Sequence, residues 1–213
     1  TPWGSGEVAA EVAGTFNASN ILGVLGVLLA SGIALDDALG ALARIKAPPG
    51  RMQRFGGGFV PLVVVDYAHS PDALEKVLAA LRPTVVEGGE LVCVFGCGGD
   101  RDAGKRPDMG RIAARLADRV VVTSDNPRSE DPAKIADQVV RGIRDAANSR
   151  WTLELDRRAA IREAIASARG GDVVLVAGKG HEDYQETKGV RLHFSDAEVA
   201  TAALAEWAGR ERV

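Results

Sequence analysis

The amino-acid sequence predicts an α/β fold built on a doubly wound, mostly parallel sheet. From about Val60 onward, short β-branched runs alternate with amphipathic segments of helical period. Runs such as LVVV and VVLV are apolar throughout, which is typical of strands covered on both faces. With 213 residues and 46% apolar composition, the chain can bury a full core. Alternating strands and helices favour a parallel sheet joined by right-handed crossovers.

The first part of the chain predicts two helices. NASNILGVLGVLLASG begins with capping-type Asn and Ser and continues as an apolar helix, and LDDALGALARI follows with helical spacing. The uncharged stretch from Ile21 to Leu35 is shorter than the roughly 20 residues that a membrane span needs, so we interpret it as a buried helix. The Pro- and Gly-rich segment APPGRMQRFGGG predicts a domain boundary.

Strands and helices alternate through the second part of the chain. Strands are predicted in PLVVVDYA, ELVCVFG, RVVVTS, WTLEL and DVVLVAG. Helices are predicted in PDALEKVLAALR, RPDMGRIAARLA, DPAKIADQVVRGIRDA and RRAAIREAIASAR. GVRLHF could add an antiparallel edge strand. SDAEVATAALAEWAG closes the chain as a helix, with Ser195 and Glu198 at capping-box spacing.

Charge and cysteine content exclude several classes of function. A formal charge of −3 gives no overall attraction to nucleic acid, so small molecules or proteins are the expected partners. Cys93 and Cys97 occur without a second Cys or His pair at metal spacing, which argues against a zinc site or a disulfide framework and indicates a reducing cytoplasm. The opening TPWGSGEVAAEVAG has no features of a signal peptide and is expected to lie inside a longer polypeptide.

Four loops that follow predicted strands carry most of the residues suited to chemistry. They are DYAHSPD, FGCGGDRDAGKRP, TSDNPRSEDP and AGKGHEDYQ. In an open parallel sheet, ligands bind beyond the carboxyl ends of the strands. The sequence therefore predicts a binding site where these four loops converge.

The Gly-rich loop GGDRDAGKR has three possible interpretations. It matches G-x-x-x-x-G-K but carries Arg106 where a phosphate loop has the Ser or Thr that binds Mg²⁺. It could instead form a nest of backbone amides that, with Arg101, holds a carboxylate. An ordinary strand-to-helix turn is the third interpretation.

The loops DNPR and GKGHE suggest a site for an amino acid. Arg128 offers a planar fork for a carboxylate, and Asp125, beside Asn126, can accept an ammonium. Gly178 allows a close approach of the backbone to a ligand, and Glu182 offers a second acceptor for an ammonium. A capped helix start would also explain DNPR.

The loop DYAHSPDAL leaves two interpretations open. Asp66 and His69 could contact the ribose or phosphates of a nucleotide, or Ser70 could simply cap the following helix. The three histidines, His69, His181 and His193, show no metal spacing, and His181 alone is more typical of a loop histidine than of a catalytic one.

Six segments in this order closely resemble the Mur ligases. They are GTFNASN, PGRM, VVDYAHSPDAL, VFGCGGDRDAGKRPDMG, TSDNPRSEDP and LVAGKGHEDYQ. The resemblance covers essentially the whole chain and is strongest to members that add meso-diaminopimelate to UDP-MurNAc-L-Ala-D-Glu. It implies an ATP-dependent carboxylate–amine ligase of cytoplasmic peptidoglycan synthesis that works through an acyl phosphate.

The resemblance also implies a domain organisation. Residues 1–49 correspond to the C-terminal segment of the central ATP-binding domain, and residues 50–213 to the complete C-terminal, Rossmann-like domain. The UDP-binding domain, the G-K-[ST] loop, the Mg²⁺ ligands and the carbamylated lysine of the family are absent from this sequence. No catalytic residue and no metal ligand is therefore expected in this chain, which alone is not expected to turn over.

Two sets of ligand contacts follow from the resemblance. The residues implied for ATP are Asn17 and Asn20, near the adenine, and Arg51, Asp66 and His69, near the ribose and phosphates. The residues implied for meso-diaminopimelate are Arg101, Asp125, Asn126, Arg128, Gly178 and Glu182. DNPR resembles the diaminopimelate-specific form of its motif, and relatives that add lysine lack this Arg.

Two other functions compete with this interpretation. One is a stand-alone Rossmann-like nucleotide-binding module, which tight dinucleotide binding would reveal. The other is a related ligase of the folylpolyglutamate or cyanophycin type, against which DNPR and GKGHEDYQ argue.

Overall fold

The computed structural model describes residues 1–9, 15–45, 47–146 and 150–210. The chain divides into two compact units, Thr1–Pro48 and Pro49–Val213. Among the described residues, no helix has the length and apolar content that a membrane crossing requires.

The first unit contains the two predicted helices, α1 (Thr15–Ala30) and α2 (Leu35–Leu42). They pack on each other through Leu25 and Leu29 of α1 and Ala38 and Leu42 of α2, all of which are buried. Leucine and alanine at helical spacing on both segments explain this contact. The assignment of residues 1–49 to the end of an ATP-binding domain stays a prediction.

The second unit is the predicted α/β domain. Its strands are β1 (Gln53–Gly56), β2 (Leu62–Asp66), β3 (Leu91–Phe95), β4 (Arg119–Val122), β5 (Arg150–Leu153), β6 (Val173–Ala177), β7 (Tyr184–Thr187) and β8 (Val190–His193). Its helices are α3 (Pro71–Leu81), α4 (Lys105–Leu116), α5 (Pro132–Arg144), α6 (Arg157–Ala166) and α7 (Asp196–Arg210), with a 3₁₀ turn at Arg82–Thr84.

Six strands form the main sheet in the order β1-β2-β6-β3-β4-β5. All neighbours pair in parallel except β1, which runs antiparallel to β2. The fold class predicted from the sequence is therefore confirmed. Because β6 returns to a place between β2 and β3, the loops after these three strands lie side by side at one edge of the sheet.

The antiparallel edge strand is present, but it is formed by a different segment from the one expected. Val190–His193 pairs with Tyr184–Thr187 in a separate two-stranded sheet and does not join the main one. Gln53–Gly56, which the Pro- and Gly-rich composition assigned to a boundary, is the edge strand. Four residues flanked by glycines carry too little periodicity for a strand to be recognised from sequence.

The four central strands of the sheet, β2, β6, β3 and β4, are buried on both faces, as their continuous apolar runs predict. On one face, valines such as Val63, Val94 and Val176 pack against α6 and α7 in a single apolar cluster with Ile161 and Val199. Helices α3, α4 and α5 contact one another in a second layer, and their apolar side chains are also buried. Two helical layers around one parallel sheet leave only its edges open to ligands.

One ion pair lies entirely inside the second unit. Arg157, the first residue of α6, donates from Nε and Nη2 to the two carboxylate oxygens of Asp196 at 2.8 and 2.7 Å. Its remaining donors reach the carbonyl oxygens of Ala177, at 3.0 Å, and Ser124, at 3.3 Å. Both side chains of the pair have no exposed area. Arg157 thus joins the ends of β4 and β6 to the start of α7.

Replacing Arg157 by Met should destabilise the domain by about 3–5 kcal/mol, because it leaves the Asp196 carboxylate buried without a partner. Arg162 provides a matched control, since it also joins α6 to α7, through Glu206, but in solvent, with both side chains about half exposed. Arg162→Met should cost no more than about 1 kcal/mol. Urea denaturation of the two variants measures the difference, and equal losses would contradict a structural role for the buried pair.

Candidate functional site

The loops predicted to carry chemistry converge at the carboxyl edge of the main sheet. The sheet register places Asp66 of β2 and Phe95 of β3 on either side of Ala177, the last residue of β6. Phe95 also pairs with Val122, so the loop after β4 starts at the same level. This edge is the position where parallel sheets bind ligands.

Four of the six residues predicted to bind an amino acid form one group, the amide–carboxylate cluster (Asp125, Asn126, Gly178 and Glu182). The Nδ2 group of Asn126 donates to Oε2 of Glu182 at 2.8 Å, and the backbone N–H of Asn126 donates to Oδ1 of Asp125 at 2.6 Å. Asp125 and Asn126 are buried, while Glu182 is partly exposed. Glu182 is therefore the acidic group of the cluster that reaches solvent, while Asp125 is enclosed.

Gly178, which follows β6, allows the backbone to pass directly beside Asp125. Its backbone lies in the left-handed half of conformational space, with φ of 120°, and a Cβ at this position would lie 2.6 Å from Oδ2 of Asp125. Burial raises the pKa of Asp125 above its ordinary value, although the positive charges of Arg157 and Lys179 oppose the shift. An incoming ammonium would act in the same direction as those two charges and favour the ionised carboxylate.

The other two predicted residues, Arg101 and Arg128, lie beside Gly98, Arg128 with its guanidinium and Arg101 with the stem of its side chain. A Cβ on Gly98 would lie 2.9 Å from Nη1 of Arg128 and 3.8 Å from Cγ of Arg101, so both side chains cover this glycine. The carbonyl oxygen of Asn126 lies 3.8 Å from the same point, which places both side chains next to the amide–carboxylate cluster. Arg128 is half-buried, whereas Arg101 is exposed.

The backbone of Arg128 is held by a segment almost 60 residues away in sequence. Arg128 has φ of 52°, which is uncommon for a residue with a side chain. Its N–H donates to the carbonyl oxygen of Glu186 at 3.0 Å, and Lys188 donates back to the carbonyl of Arg128 at 2.6 Å. Arg128 and Thr187 thereby form a single parallel bridge to β7. Nη1 of Arg128 also donates to the carbonyl oxygen of Gly99 at 2.8 Å.

Asp66 lies at the end of β2 and organises the loop before β1. Its two carboxylate oxygens accept the backbone N–H groups of Met52 and Ala68, each at 2.8 Å. Burial raises the pKa of Asp66, against the effect of these two donors. Asp66 thus positions the backbone beside Arg51, and each of its oxygens retains capacity for a further donor.

Arg51 and His69 gather around Tyr67 at the same edge. The Arg51 guanidinium lies 4.8 Å from the centre of the Tyr67 ring, and the ring of His69 lies 4.5 Å from it. The ring of His181 is 5.4 Å away on the same tyrosine. Lys105 extends to this group and donates to the carbonyl oxygen of His69 at 2.6 Å. Cations beside an exposed aromatic surface suit the phosphates and rings of a nucleotide.

The two remaining residues predicted for ATP, Asn17 and Asn20, belong to the first unit. They lie on α1, where Nδ2 of Asn20 donates to Oδ1 of Asn17 at 3.4 Å. Capping by Ser70 was the other interpretation of the loop DYAHSPDAL. Ser70 does cap α3, because its side chain accepts the N–H of Ala73 at 3.4 Å. Capping by Ser70 leaves Asp66 and His69 available for other contacts.

The structure shows what Arg106 does in the Gly-rich loop GGDRDAGKR. Arg106, at the Ser or Thr position of the G-x-x-x-x-G-K pattern, has no exposed area and points into the domain. It donates to both carboxylate oxygens of Glu130, at 2.8 and 2.9 Å, and to Gln138. The loop is thus fastened to α5 by a buried arginine, which is a structural arrangement and leaves no hydroxyl for Mg²⁺.

Sequence reasoning assigned no role to Lys179, Tyr67 or Lys105. Lys179 is fully buried and contacts both Asn126 and Glu182. Its position between two predicted ligand residues, Gly178 and Glu182, was the available signal, but a lysine in a Gly-rich loop is ordinarily exposed.

Other kinds of chemistry lack suitable groups in the part of the chain that the structure describes. No three His, Cys, Asp or Glu side chains there lie close enough together to hold a metal ion. Both cysteines are buried, and burial raises the pKa of Cys97 to about 12. The thiol of Cys97 is therefore protonated at neutral pH and unsuited to nucleophilic attack.

A family model described as Mur ligase, glutamate ligase domain, matches residues 50–180. UDP-N-acetylmuramoyl-L-alanyl-D-glutamate–2,6-diaminopimelate ligase of Chromobacterium violaceum is 56% identical over 210 residues, which are 99% of this chain and 42% of that protein. The ligase of the same name from Pseudomonas aeruginosa is 56% identical over 97% of this chain and 42% of its own length.

A solved structure of a UDP-N-acetylmuramoyl-L-alanyl-D-glutamate–2,6-diaminopimelate ligase superposes with a TM-score of 0.72 at 41% identity. The superposition covers 96% of this chain and 41% of that protein. The chain therefore spans about two fifths of the length of the relatives that it matches.

Two neighbouring glycines test the placement of the Arg128 guanidinium. A methyl group on Gly98 would meet only the end of the flexible Arg128 side chain, whereas one on Gly99 would overlap the backbone carbonyl of Pro127. Gly98→Ala should therefore move the Arg128 guanidinium at a cost below about 1 kcal/mol. Gly99→Ala should destabilise the domain by about 1–3 kcal/mol or more.

Thermal unfolding and the Nε–H resonance of Arg128 in NMR spectra measure these two effects. An unmoved Arg128 resonance in Gly98→Ala would contradict the placement of its side chain above Gly98. Equal stability of the two variants would contradict the difference between a side-chain and a backbone contact.

Proposed function

The chain belongs to the Mur ligase family, and on that premise we propose that it is the amino-acid-recognising part of a ligase that adds meso-diaminopimelate to UDP-MurNAc-L-Ala-D-Glu. Mur ligases are ATP-dependent ligases. In the proposed reaction ATP supplies the phosphoryl group that activates the D-Glu carboxylate. The amine of diaminopimelate then attacks the activated carbonyl carbon, forms the amide bond and releases phosphate.

The observation that carries this proposal is the pairing of opposite charges at one edge of the sheet. The guanidinium of Arg128 lies beside Gly98, with the Arg101 side chain next to it, and the carboxyl groups of Asp125 and Glu182 lie in the adjoining amide–carboxylate cluster. A free amino acid carries a carboxylate and an ammonium on one carbon, so both ends of the group find a partner. The chemistry of the cluster therefore suits a zwitterion better than a simple anion.

The guanidinium of Arg128 explains a preference for diaminopimelate over lysine. The two amino acids differ by one carboxylate on the distal carbon, and lysine would leave Arg128 without its partner. A hydrogen bond to a charged group contributes about 1.5–3 kcal/mol. A site that leaves a buried polar group unpaired can reject an analogue far more strongly.

The nucleotide contacts are proposed on the opposite side of the same edge. Arg51, Asp66 and His69 would reach the ribose and phosphates of ATP. The contact of Asn17 and Asn20 with the adenine stays a prediction from the family resemblance. The exposed cations around Tyr67 support the phosphate contacts. We propose that Mg²⁺ is held mainly by other parts of the ligase.

The rest of the proposal concerns the longer protein. Residues 1–49 would be the end of its central ATP-binding domain, and residues 50–213 its C-terminal domain. The UDP-MurNAc-dipeptide would bind mainly to domains outside this chain. We propose a cytoplasmic location for the reaction, which the proposed ATP and UDP-linked substrates and the two free cysteines support.

Titration of the chain with small ligands tests the proposal. Meso-diaminopimelate should shift amide resonances of the loops around Asn126 and Gly178 in NMR spectra, with a Kd on the order of millimolar. Binding should be weak because closure of further domains would complete the site and exclude water. L-Lysine should give smaller shifts at equal concentration, because it lacks the second carboxylate.

Three outcomes of this titration would count against the proposal. Equal shifts with lysine and diaminopimelate would contradict the role of Arg128. A micromolar or tighter complex with diaminopimelate would contradict completion of the site by other domains. Tight binding of NAD with no response to diaminopimelate would favour a stand-alone nucleotide-binding module.

Arg128→Ala should weaken the binding of diaminopimelate by about tenfold to a hundredfold, because one charged hydrogen bond is lost. The affinity of the variant for diaminopimelate should then approach its affinity for lysine. Arg169, an exposed arginine before β6, is a matched control, and Arg169→Ala should leave both affinities unchanged. An Arg128→Ala variant that still prefers diaminopimelate to lysine would place the carboxylate contact elsewhere.

A further inference from the structure

Lys179 is a buried charge that the proposed function does not use. Its side chain has no exposed area, although it lies between Gly178 and Glu182 in a loop at the sheet edge. Taking an ammonium out of water costs several kcal/mol unless it is paired and hydrogen-bonded. A lysine in this position therefore needs partners that compensate for its burial.

The partners of Lys179 are two residues of the amide–carboxylate cluster. Its Nζ donates to Oδ1 of Asn126 at 3.1 Å and to Oε2 of Glu182 at 3.3 Å. The ring of Tyr184 lies 5.3 Å from Nζ and covers the ammonium further. The residues that it contacts, Asn126, Glu182 and Tyr184, thus separate the lysine from solvent.

Lys179 determines the orientation of the Asn126 amide. Oδ1 of Asn126 accepts both Nζ of Lys179 and the backbone N–H of Glu186, the latter at 2.9 Å. Nδ2 of Asn126 must then face Glu182, to which it donates at 2.8 Å. Two donors on one side of the amide and a carboxylate on the other leave only one assignment of its oxygen and nitrogen.

The contacts with Asn126 and Lys179 occupy one carboxylate oxygen of Glu182 and leave the other oxygen open to a ligand. Oε2 accepts both Nδ2 of Asn126 and Nζ of Lys179. Among the residues that the structure describes, no donor reaches Oε1, and the Glu182 side chain is about 20% exposed. Oε1 is therefore oriented and available for a donor that arrives from solvent.

Two carboxyl groups lie around the single ammonium of Lys179. Arg157 is neutralised by Asp196 in their bidentate pair. Lys179 then interacts with two carboxyl groups. It donates to Glu182, and its charge lowers the pKa of Asp125 against the effect of burial. One negative charge remains when both are ionised, and a ligand that brings one ammonium would balance it.

We propose that Lys179 is a positioning residue for the amino-acid ligand, which orients Asn126 and holds Oε2 of Glu182 so that Oε1 receives the ammonium of the ligand. The proposal rests on the proposed function for the identity of the ligand. It assigns to Lys179 no contact with the ligand itself. The chemical class recognised is a primary ammonium next to a carboxylate.

Lys179→Met tests this role, because methionine has a similar length but neither charge nor donor. The ligand-free protein should show displaced side-chain NH₂ resonances of Asn126, since the amide loses one of the two donors that orient it. The Kd for meso-diaminopimelate should rise at least tenfold. Lys76→Met, which removes an exposed lysine paired with Asp72, is the matched control and should change neither quantity.

The two measurements separate this inference from the proposed function. A folded Lys179→Met variant that binds diaminopimelate like the wild type would overturn the inference and leave the function intact. Unchanged Asn126 resonances in Lys179→Met would refute the orienting role. Failure of the wild type to bind diaminopimelate would instead contradict the proposed function. If Lys179→Met does not fold, Lys179→Gln, whose uncharged side chain is one atom shorter and loses the reach of Nζ to Oδ1 of Asn126 and Oε2 of Glu182, should show the same tenfold loss of affinity.

Discussion

The buried ion pair between Arg157 and Asp196 is the interaction on which the site depends. Strands β4 and β6 end inside the protein, and the carbonyl oxygens of Ser124 and Ala177 would remain unsatisfied there without the guanidinium of Arg157. Asp196 compensates for the charge of that guanidinium and brings the start of α7 to the same point. The loops that contain Asn126 and Gly178 begin immediately beyond these carbonyls.

The same guanidinium contributes to the electrostatics of the loops above it. Asp125 is buried next to Gly178, and the charges of Arg157 and Lys179 oppose the increase in its pKa that burial causes. These two cations therefore oppose the protonation of Asp125 that burial favours, as the ammonium of a ligand would. The guanidinium of Arg128 lies beside Gly98, close to the carbonyl of Asn126, so a positive group adjoins the acidic cluster.

Buried charged residues also fasten the flanking loops. Arg106 joins the Gly-rich loop to Glu130 and Gln138, and the β7 strand holds the backbone of Arg128 in an uncommon conformation. Lys179 joins the loop after β6 to the loop after β4 through Asn126. Each of these contacts joins segments that are far apart in sequence. A site built in this way is rigid before a ligand binds, which reduces the entropy lost on binding.

Local periodicity was sufficient to predict the parallel strands, the helices between them and the edge of the sheet where ligands bind. Apolar runs such as LVVV and VVLV must be covered on both faces, and Gly-, Asp- and Arg-rich loops follow them directly. The resemblance to Mur ligases then named candidate ligand residues, and the structure brings the six proposed for diaminopimelate to one edge. Asn17 and Asn20 lie in a separate unit.

Only the tertiary structure decided which charged residues are buried and what they contact. Nothing in the local sequence distinguishes Arg106, Arg157 and Lys179 from exposed cations, because their partners lie up to 53 residues away. The edge strand Gln53–Gly56 and the separate hairpin at Tyr184–His193 were also revealed only by the pairing of their strands. Sequence periodicity reports the environment of each residue's own segment, whereas the burial of a charge depends on groups that folding brings from elsewhere in the chain.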